Sequence, residues 1–433
     1  MKWFGSSGIR GVAFEEFTLD LACRIGRAVG SDYRDAVIGR DARTTGQIFS
    51  SAVSSAMMSV GADVCDLGVL ATPTLAYAAR TRKCGVMVTA SHNPPEYNGI
   101  KLWNPDGSSF DTPQMEDVES GMEKGVREAE WKSIGHLSED KNAIADHMSR
   151  ILSIVGKAKL SVVVDCANGP ASLITPQVLR EMGCKVISLN ATLDGSFPGR
   201  PAEPTEENLS SLKGEVRKSG SDLGIAHDGD ADRMVAVDDK GRYVGGDLLL
   251  KIFAKELGAK SMVAPVDATM LLEDWYGSKL HRTRVGDAFV SEKVKQSKAD
   301  FGGEPSGTWV FPKMSLCPDG IFAAAKLAEI CSGKRLSELV DKTPSLPMLK
   351  ETIKFDQSKR RTIQSALGKN IKSIKSDEVD TTDGFRLSFE DGWALIRLSG
   401  TEPKMRVVVE ARTSDRAKAI MSSMKEVARR SLQ

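Results

Sequence analysis

Neither sign of charge predominates in this 433-residue sequence, which holds 59 Lys and Arg against 58 Asp and Glu. That balance argues against a nucleic-acid or membrane-surface binder, so neither partner is expected. No apolar run approaches the ~18 residues of a membrane span. The opening residues, Met1-Lys2-Trp3-Phe4-Gly5, lack the apolar core of a signal peptide. The seven cysteines (Cys23, Cys65, Cys84, Cys166, Cys184, Cys317 and Cys331) form no C-x-x-C pair, which excludes the usual zinc and dithiol patterns. An odd number of scattered thiols predicts a reducing cytoplasm and mostly buried sulfurs. A P-loop is also excluded: the Gly-Lys pairs at 156–157, 333–334 and 368–369 are followed by Ala, Arg and Asn, never Ser or Thr.

What is present is a soluble composition, 41% apolar and 27% charged, long enough for two to four domains. Helical spacing over 19–29 and 48–60 alternates with strand patterns at 36–39, 64–67 and 86–88. The same logic recurs at 160–189 and again from 261. The last ~85 residues differ, with short strands at 384–390, 393–398 and 405–411 and a closing helix over 415–432. The pattern predicts three related α/β domains with mixed, mostly parallel sheets, 1–145, 150–245 and 246–343. A smaller C-terminal α+β domain, 348–433, completes the chain. Arg40, Asp41 and Arg43 read as a solvated, self-paired turn. The 190–204 segment, rich in glycine and proline, reads as a hinge or mobile loop, and 281–287 as a polar loop.

One stretch organises the rest. Val86-Met87-Val88-Thr89-Ala90 reads as a buried strand, and Asn93-Pro94-Pro95 breaks it, because two prolines remove two donors and fix φ. Ser91 therefore sits where a rigid strand becomes a loop, beside His92, Asn93, Asn98 and Lys101, all able to bind or move protons and phosphate oxygens. A serine and a histidine alone suit a turn cap and a surface residue. Upstream, Gly5, Gly8 and Gly11 let backbone amides approach an anion, and Arg10 can add a bidentate phosphate contact.

A second apolar strand delivers His227-Asp228-Gly229-Asp230-Ala231-Asp232-Arg233. Three carboxylates at alternate positions repel unless a cation offsets them, and hard oxygen ligands suit Mg²⁺. An EF-hand is excluded, because Arg233 stands where its glycine should follow and Asp239 where its last glutamate should be. A third strand-to-loop element, Gly302-Gly303-Glu304-Pro305-Ser306-Gly307-Thr308, offers hydrogen bonds to vicinal hydroxyls. A fourth, Arg397-Leu398-Ser399-Gly400-Thr401-Glu402-Pro403-Lys404-Met405-Arg406, makes a phosphate cradle from Arg397, Ser399, Thr401 and loop amides.

In this order the four strings resemble the signatures of the α-D-phosphohexomutases: T-A-S-H-N-P-P-x-x-N-G-x-K, D-G-D-A-D-R, G-E-x-S-G and R-x-S-G-T-E-P. The resemblance covers essentially the whole chain. It implies four domains around a central cleft, with Ser91 carrying a phosphoryl group. Asp228, Asp230 and Asp232 would hold one Mg²⁺ per chain together with an oxygen on Ser91, and Arg233 and Arg10 would stabilise the transferring group. Gly286, Asp287, Glu304 and Ser306 would meet the sugar. Arg397, Ser399, Gly400, Thr401 and Arg406 would hold the non-reacting phosphate. His92 and Lys101, both inside the Ser91 motif, are the candidates for proton transfer. Many bacterial members have histidine where this chain has Thr308, so that histidine's role does not transfer. The loop is more similar to the archaeal phosphoglucosamine mutase-like branch. The implied substrate is a hexose monophosphate, favoured as glucosamine phosphate, turned over through a 1,6-bisphosphate that also primes the enzyme. The alternative is a phosphomannomutase/phosphoglucomutase. Two other classes compete: a phosphatase using Asp228 as nucleophile, which leaves Ser91 without work, and a non-catalytic sugar-phosphate sensor.

Overall fold

The structure is a computed structural model, and it describes residues 3–5, 8–399 and 403–433. Three sheets are mixed and one is wholly antiparallel. The first orders its strands Ile9–Val12, Tyr97–Trp103, Cys84–Val88, Asp35–Arg40, Asp63–Val69, Leu137–Glu139. The second runs Tyr243–Val244, Met234–Asp238, Leu223–His227, Ser161–Asp165, Lys185–Leu189. The third runs Leu280–Thr283, Met262–Pro265, Phe301–Gly303, Trp309–Val310. Parallel pairs make up three of five, two of four and two of three neighbours in these sheets. The fourth sheet, Met348–Lys354, Lys404–Ala411, Gly392–Leu398, Phe385–Phe389, Glu378–Asp380, is antiparallel throughout. This is the expected α/β architecture with a smaller α+β end.

One construction recurs in the first three units. A wholly buried strand (Cys84–Val88, Leu223–His227 or Phe301–Gly303) pairs in parallel with a neighbour. It then turns back into an antiparallel partner (Tyr97–Trp103, Met234–Asp238 or Trp309–Val310). The turn is one of the candidate site loops each time. Ligand groups at the carboxyl ends of parallel strands follow from this layout.

The second and third units share one apolar core that runs from Val162 and Val164 through Leu249 and Phe253 to Phe301 and Trp309. The fourth unit has its own core, where Ile363 and Leu367 meet Met421 and Met424 of the helix Ser414–Leu432. It docks on the third unit through Val266 against Trp393, Leu395 and Val408. Glu410 Oε2 accepts from Met270 N at 2.7 Å across that contact and from Trp393 Nε1 at 2.8 Å within the fourth unit.

Three expectations are corrected. Residues 281–287 are not one loop: Leu280–Thr283 is a strand and Asp287 begins the helix Asp287–Ser297. Arg282 fits a strand because Glu273 pairs with it at 2.6 Å. Asp41 and Arg43 are self-paired but not solvated, since both side chains are wholly buried. The 190–204 segment is packed rather than hinge-like. Arg200 in it is buried and donates to Asp165 at 2.9 Å, and a Cβ on Gly195 would meet Ala42 O and Thr44 N at 2.4 Å.

Candidate active site

Ser91 is 1% exposed and has φ +50°, a left-handed conformation that costs a non-glycine residue about 1–3 kcal/mol. The sharp turn sends its Oγ to Asp228 Oδ2 at 2.7 Å, so the first and second units meet at this hydrogen bond. His92 Nδ1 lies 3.4 Å from the same Oγ. Burial and then the cations Arg233, Arg10 and Lys101 push the His92 pKa well below its ordinary value, so the ring is neutral near pH 7. Arg10 donates from Nη1 to Asn93 Oδ1 at 3.2 Å and so braces the loop from the N-terminal strand.

Lys101 projects from the return strand Tyr97–Trp103, and its Nζ reaches Asp230 Oδ2 at 2.9 Å and Asp232 Oδ2 at 2.5 Å. Burial opposes the charge on Lys101, but Asp230 and Asp232 outweigh it and raise its pKa. The acidic loop is divided electrostatically. Burial, then Asp232 and Asp230, push Asp228 up. Burial acts on Asp230 in the same sense, yet Lys101 and the hydroxyl of Thr72 hold it down. Asp232 is raised by burial and by Asp230.

The three aspartates offer oxygens that lie within 4.8 Å of one another, all buried. Asp230 Oδ1 and Asp232 Oδ1 have no hydrogen-bond partner. Unpartnered buried carboxylate oxygens are costly, and a small hard cation satisfies them. The donor set therefore fits Mg²⁺. Arg233 donates its backbone N–H to Asp228 Oδ1 at 3.1 Å, its guanidinium stands 3.7 Å from Glu203, and its buried Nε has no partner.

The third loop is joined to the second. Arg233 and Thr308 form a bridge, Met234 N donates to Gly307 O at 2.9 Å, and Trp309 Nε1 donates to Met234 O at 2.7 Å. Glu304 accepts from Gly286 N at 2.7 Å, Thr308 Oγ1 at 3.0 Å and Ser306 Oγ at 3.2 Å. Burial, then Asp287 and Asp267, push the Glu304 carboxyl up to about 7. Asp287 lines a small cavity with Lys101, Trp103 and Gly8; Gly286, Glu304 and Ser306 do not line it.

Arg397 and Arg406 lie opposite each other on the fourth unit's hairpin, and Arg397 pairs with Asp383 at 3.3 Å. Asp383 also accepts from Val285 N at 3.1 Å, which ties this group to the third unit. Ser399 O accepts from Arg360 Nη2 at 2.6 Å. Gly400 and Thr401, expected in the same cradle, lie outside the described residues.

Several residues at the site were not expected there. Thr72 donates to Asp230 Oδ2 at 2.6 Å across 158 positions of sequence. Arg43 and Asp41 sit beneath the Ser91 loop, and Arg200 donates to His227 O, the carbonyl before Asp228. The only signal in the sequence was an aspartate and an arginine directly after a strand, which equally describes a surface turn.

Comparison with known proteins gives one answer along the whole chain. Family models described as Phosphoglucomutase/phosphomannomutase, alpha/beta/alpha domain I, domain II and domain III match residues 1–128, 143–241 and 245–346, and the C-terminal domain matches 354–427. The chain is 50% identical over 432 residues to a probable phosphoglucosamine mutase of Methanocella arvoryzae, covering 99% of this chain and 98% of that one. It is 42% identical over 438 residues to a phosphoglucosamine mutase of Methanococcus maripaludis, covering 98% and 97%. Among solved structures, a phosphoglucomutase/phosphomannomutase family protein of Burkholderia thailandensis superposes with a TM-score of 0.88 at 26% identity, over 98% of this chain and 97% of that one.

Proposed function

The chain belongs to the phosphoglucomutase/phosphomannomutase family, and from that premise we propose that it is a phosphoglucosamine mutase, an isomerase interconverting glucosamine 6-phosphate and glucosamine 1-phosphate. Full-length relatives at 42–50% identity carry that name. The observation that carries the chemistry is the buried Ser91 Oγ held 2.7 Å from Asp228, at the edge of three carboxylates and two cations.

In the forward half-reaction a free hydroxyl of the sugar phosphate attacks the phosphorus on Ser91. The P–Oγ bond breaks, a new P–O bond forms on the sugar, the sugar hydroxyl gives up its proton, and the departing Oγ takes one to become the serine hydroxyl. His92 and Lys101 are the candidates for proton transfer, and His92 Nδ1, 3.4 Å from Oγ, is on the side of the leaving oxygen. The product is a 1,6-bisphosphate. After it turns in the cleft, its other phosphoryl group returns to Ser91 Oγ. The same compound primes an unphosphorylated enzyme.

Asp228, Asp230 and Asp232 would hold one Mg²⁺, which supplies charge neutralisation and in-line orientation to phosphoryl transfer. Lys101, held protonated between Asp230 and Asp232, and Arg233, with an uncommitted Nε, add positive charge where the transferring group becomes most negative. Glu304, Ser306, Gly286 and Asp287 take the sugar, and Arg397, Ser399 and Arg406 the distal phosphate. The 1–145, 150–245, 246–343 and 348–433 division remains our assignment of domains. Among the described residues no helix is long and apolar enough to cross a membrane. Seven unpaired cysteines, six of them buried, support a reducing cytoplasmic setting.

The runner-up is a phosphomannomutase/phosphoglucomutase, since the sugars differ only at C2. The test is turnover with Mg²⁺ and a trace of the matching bisphosphate on glucosamine, glucose and mannose phosphates. Preference in kcat/KM for glucosamine phosphate supports the proposal, and preference for either other sugar replaces it with the runner-up. Steady phosphate release without isomerisation would favour the Asp228 phosphatase reading.

A further inference from the structure

We propose that Arg43, with Asp41 and Thr89 and seated on Phe197 of the second unit, is the positioning device for Ser91 Oγ. The proposal rests on Ser91 as the phosphoryl carrier and adds to it the residues that aim it.

The argument begins with a shortage of donors. Pro94 and Pro95 carry no N–H, so the loop after Ser91 satisfies only some of its carbonyls itself: Asn93 N donates to Ala90 O at 3.0 Å and Tyr97 N to Pro94 O at 3.1 Å. Arg43 supplies what is missing. Its Nη2 donates to Ser91 O at 2.8 Å and Asn93 O at 2.7 Å, and its Nη1 to Pro94 O at 2.5 Å and Tyr97 O at 2.9 Å. Its Nε donates to Asp41 Oδ2 at 3.1 Å. All five N–H bonds of the planar guanidinium are thereby committed, and a lysine has three donors in another geometry.

The other side of Ser91 is held by the same carboxylate. Ser91 N donates to Thr89 Oγ1 at 2.9 Å, and Thr89 Oγ1 donates to Asp41 Oδ2 at 2.6 Å. Both the N–H and the C=O of a left-handed residue are thus fixed to one buried Asp–Arg pair. The pair does not float. The Phe197 ring centroid lies 5.1 Å from the Arg43 guanidinium carbon, and the backbone at Gly195 is too close to residues 42–44 to admit a side chain. The loop that carries Phe197 also carries Arg200, which grips the carbonyl before Asp228. One continuous support therefore sets Ser91 Oγ against Asp228.

None of these residues touches substrate, so their loss should lower kcat and leave KM nearly unchanged. A misplacement of about 1 Å costs on the order of 100-fold in rate. The experiment compares wild type, Ser91→Ala, Arg43→Lys, Thr89→Val and Phe197→Leu. Ser91→Ala is compared with wild type per total folded protein; the other rates are expressed per enzyme that accepts label from ³²P-labelled bisphosphate, so misfolded protein does not count. We expect kcat to fall roughly 100-fold in Arg43→Lys and roughly 10-fold in Thr89→Val and Phe197→Leu, with KM within about threefold. Phe197→Leu keeps the clamp's own hydrogen bonds, so it remains informative if Arg43→Lys does not fold. Wild-type kcat per labelled enzyme in both Thr89→Val and Phe197→Leu overturns the positioning proposal. Equal turnover in Ser91→Ala and wild type overturns instead the phosphoserine reading beneath it.

Discussion

Replacing Gly229 by alanine probes the spacing between Ser91, the proposed phosphoryl carrier, and the acidic loop with a single methyl group. Its Cβ would stand 2.5 Å from Ser91 O, and 3.3 Å from both Ala202 Cβ and Phe197 Cζ. To reach even 3.0 Å, the shortest distance real Cβ atoms show, the two loops must part by 0.5 Å. The carbonyl cannot simply retreat, because Arg43 Nη2 holds it at 2.8 Å. Gly229 is not in the left-handed region, so alanine brings no backbone penalty of its own and the effect is steric. If about 1 Å of misplacement costs about 100-fold, 0.5 Å costs about 10-fold, and more if the Ser91 turn rotates. Overpacking adds a stability loss of about 1–3 kcal/mol. Gly214→Ala is the control, because it lies in the helix Ser210–Ser219 with nothing within 4 Å of its added methyl. The assay is bisphosphate-primed mutase turnover beside denaturant unfolding. A Gly229→Ala enzyme with kcat within twofold of wild type and normal stability would refute the idea that this contact sets the Ser91–Asp228 distance.

Ser91→Ala should abolish mutase turnover while circular dichroism stays native, since Oγ loses only its bond to Asp228 and its 3.4 Å contact with His92; retained turnover would remove Ser91 from the mechanism. Glu304 has a carboxyl raised from 4.5 to about 7, so the folded state binds its proton more tightly than the unfolded state. Its contribution is full below pH 4.5 and is lost as pH rises through about 7, worth up to about 3 kcal/mol. Wild type should therefore lose stability relative to Glu304→Gln between pH 5 and pH 8, and parallel unfolding curves at the two pH values would contradict this. A chelator should stop turnover, and Mg²⁺ at 100 times its Kd should add about 2.7 kcal/mol to unfolding. The Mg²⁺-dependent gain should disappear in Asp230→Asn combined with Asp232→Asn, and its persistence there would place the cation elsewhere.

The candidate site groups were legible because each sits in an unbroken string behind an apolar strand. Ser91, Asp228 and Glu304 need no partner from elsewhere to be noticed. Arg43 was hidden because all its meaning is long-range: the carbonyls it holds are 48 to 54 positions away. Seen along the chain, three charged residues after a strand are a solvated turn, and only the donor-poor Pro94-Pro95 loop above them makes burial worthwhile. The 190–204 loop misled for a related reason. Its glycines suggest freedom, but Gly195 lacks a side chain because another backbone passes there. Arg282 looked like loop polarity because its neutralising partner, Glu273, lies on a preceding helix.

The same physical problem is met three times in this chain with the same kind of group. Where parallel strands end, their loops present carbonyls that no helix or sheet satisfies, and a guanidinium offers five donors in one plane. In the first unit Arg43, paired with Asp41, grips Ser91 O. In the second, Arg200, paired with Asp165, grips His227 O and so the start of the metal loop. In the third, Arg282, paired with Glu273, grips Pro265 O at 2.7 Å and Thr269 O at 2.9 Å. The third case differs in what it steadies. Its loop leads to Met270, whose N–H meets Glu410 of the fourth unit, and Arg386 of that unit reaches the same Glu273 at 3.2 Å. The first two clamps bury a charge, which is tolerable because Asp41 and Asp165 share the burial and most or all donors are used, whereas Glu273 beside Arg282 stays partly exposed. A lysine at any of the three positions would keep the charge and abandon most of the carbonyls. The position of each pair therefore decides which spacing is rigid: the Ser91 loop, the acidic loop, or the seat of the fourth unit.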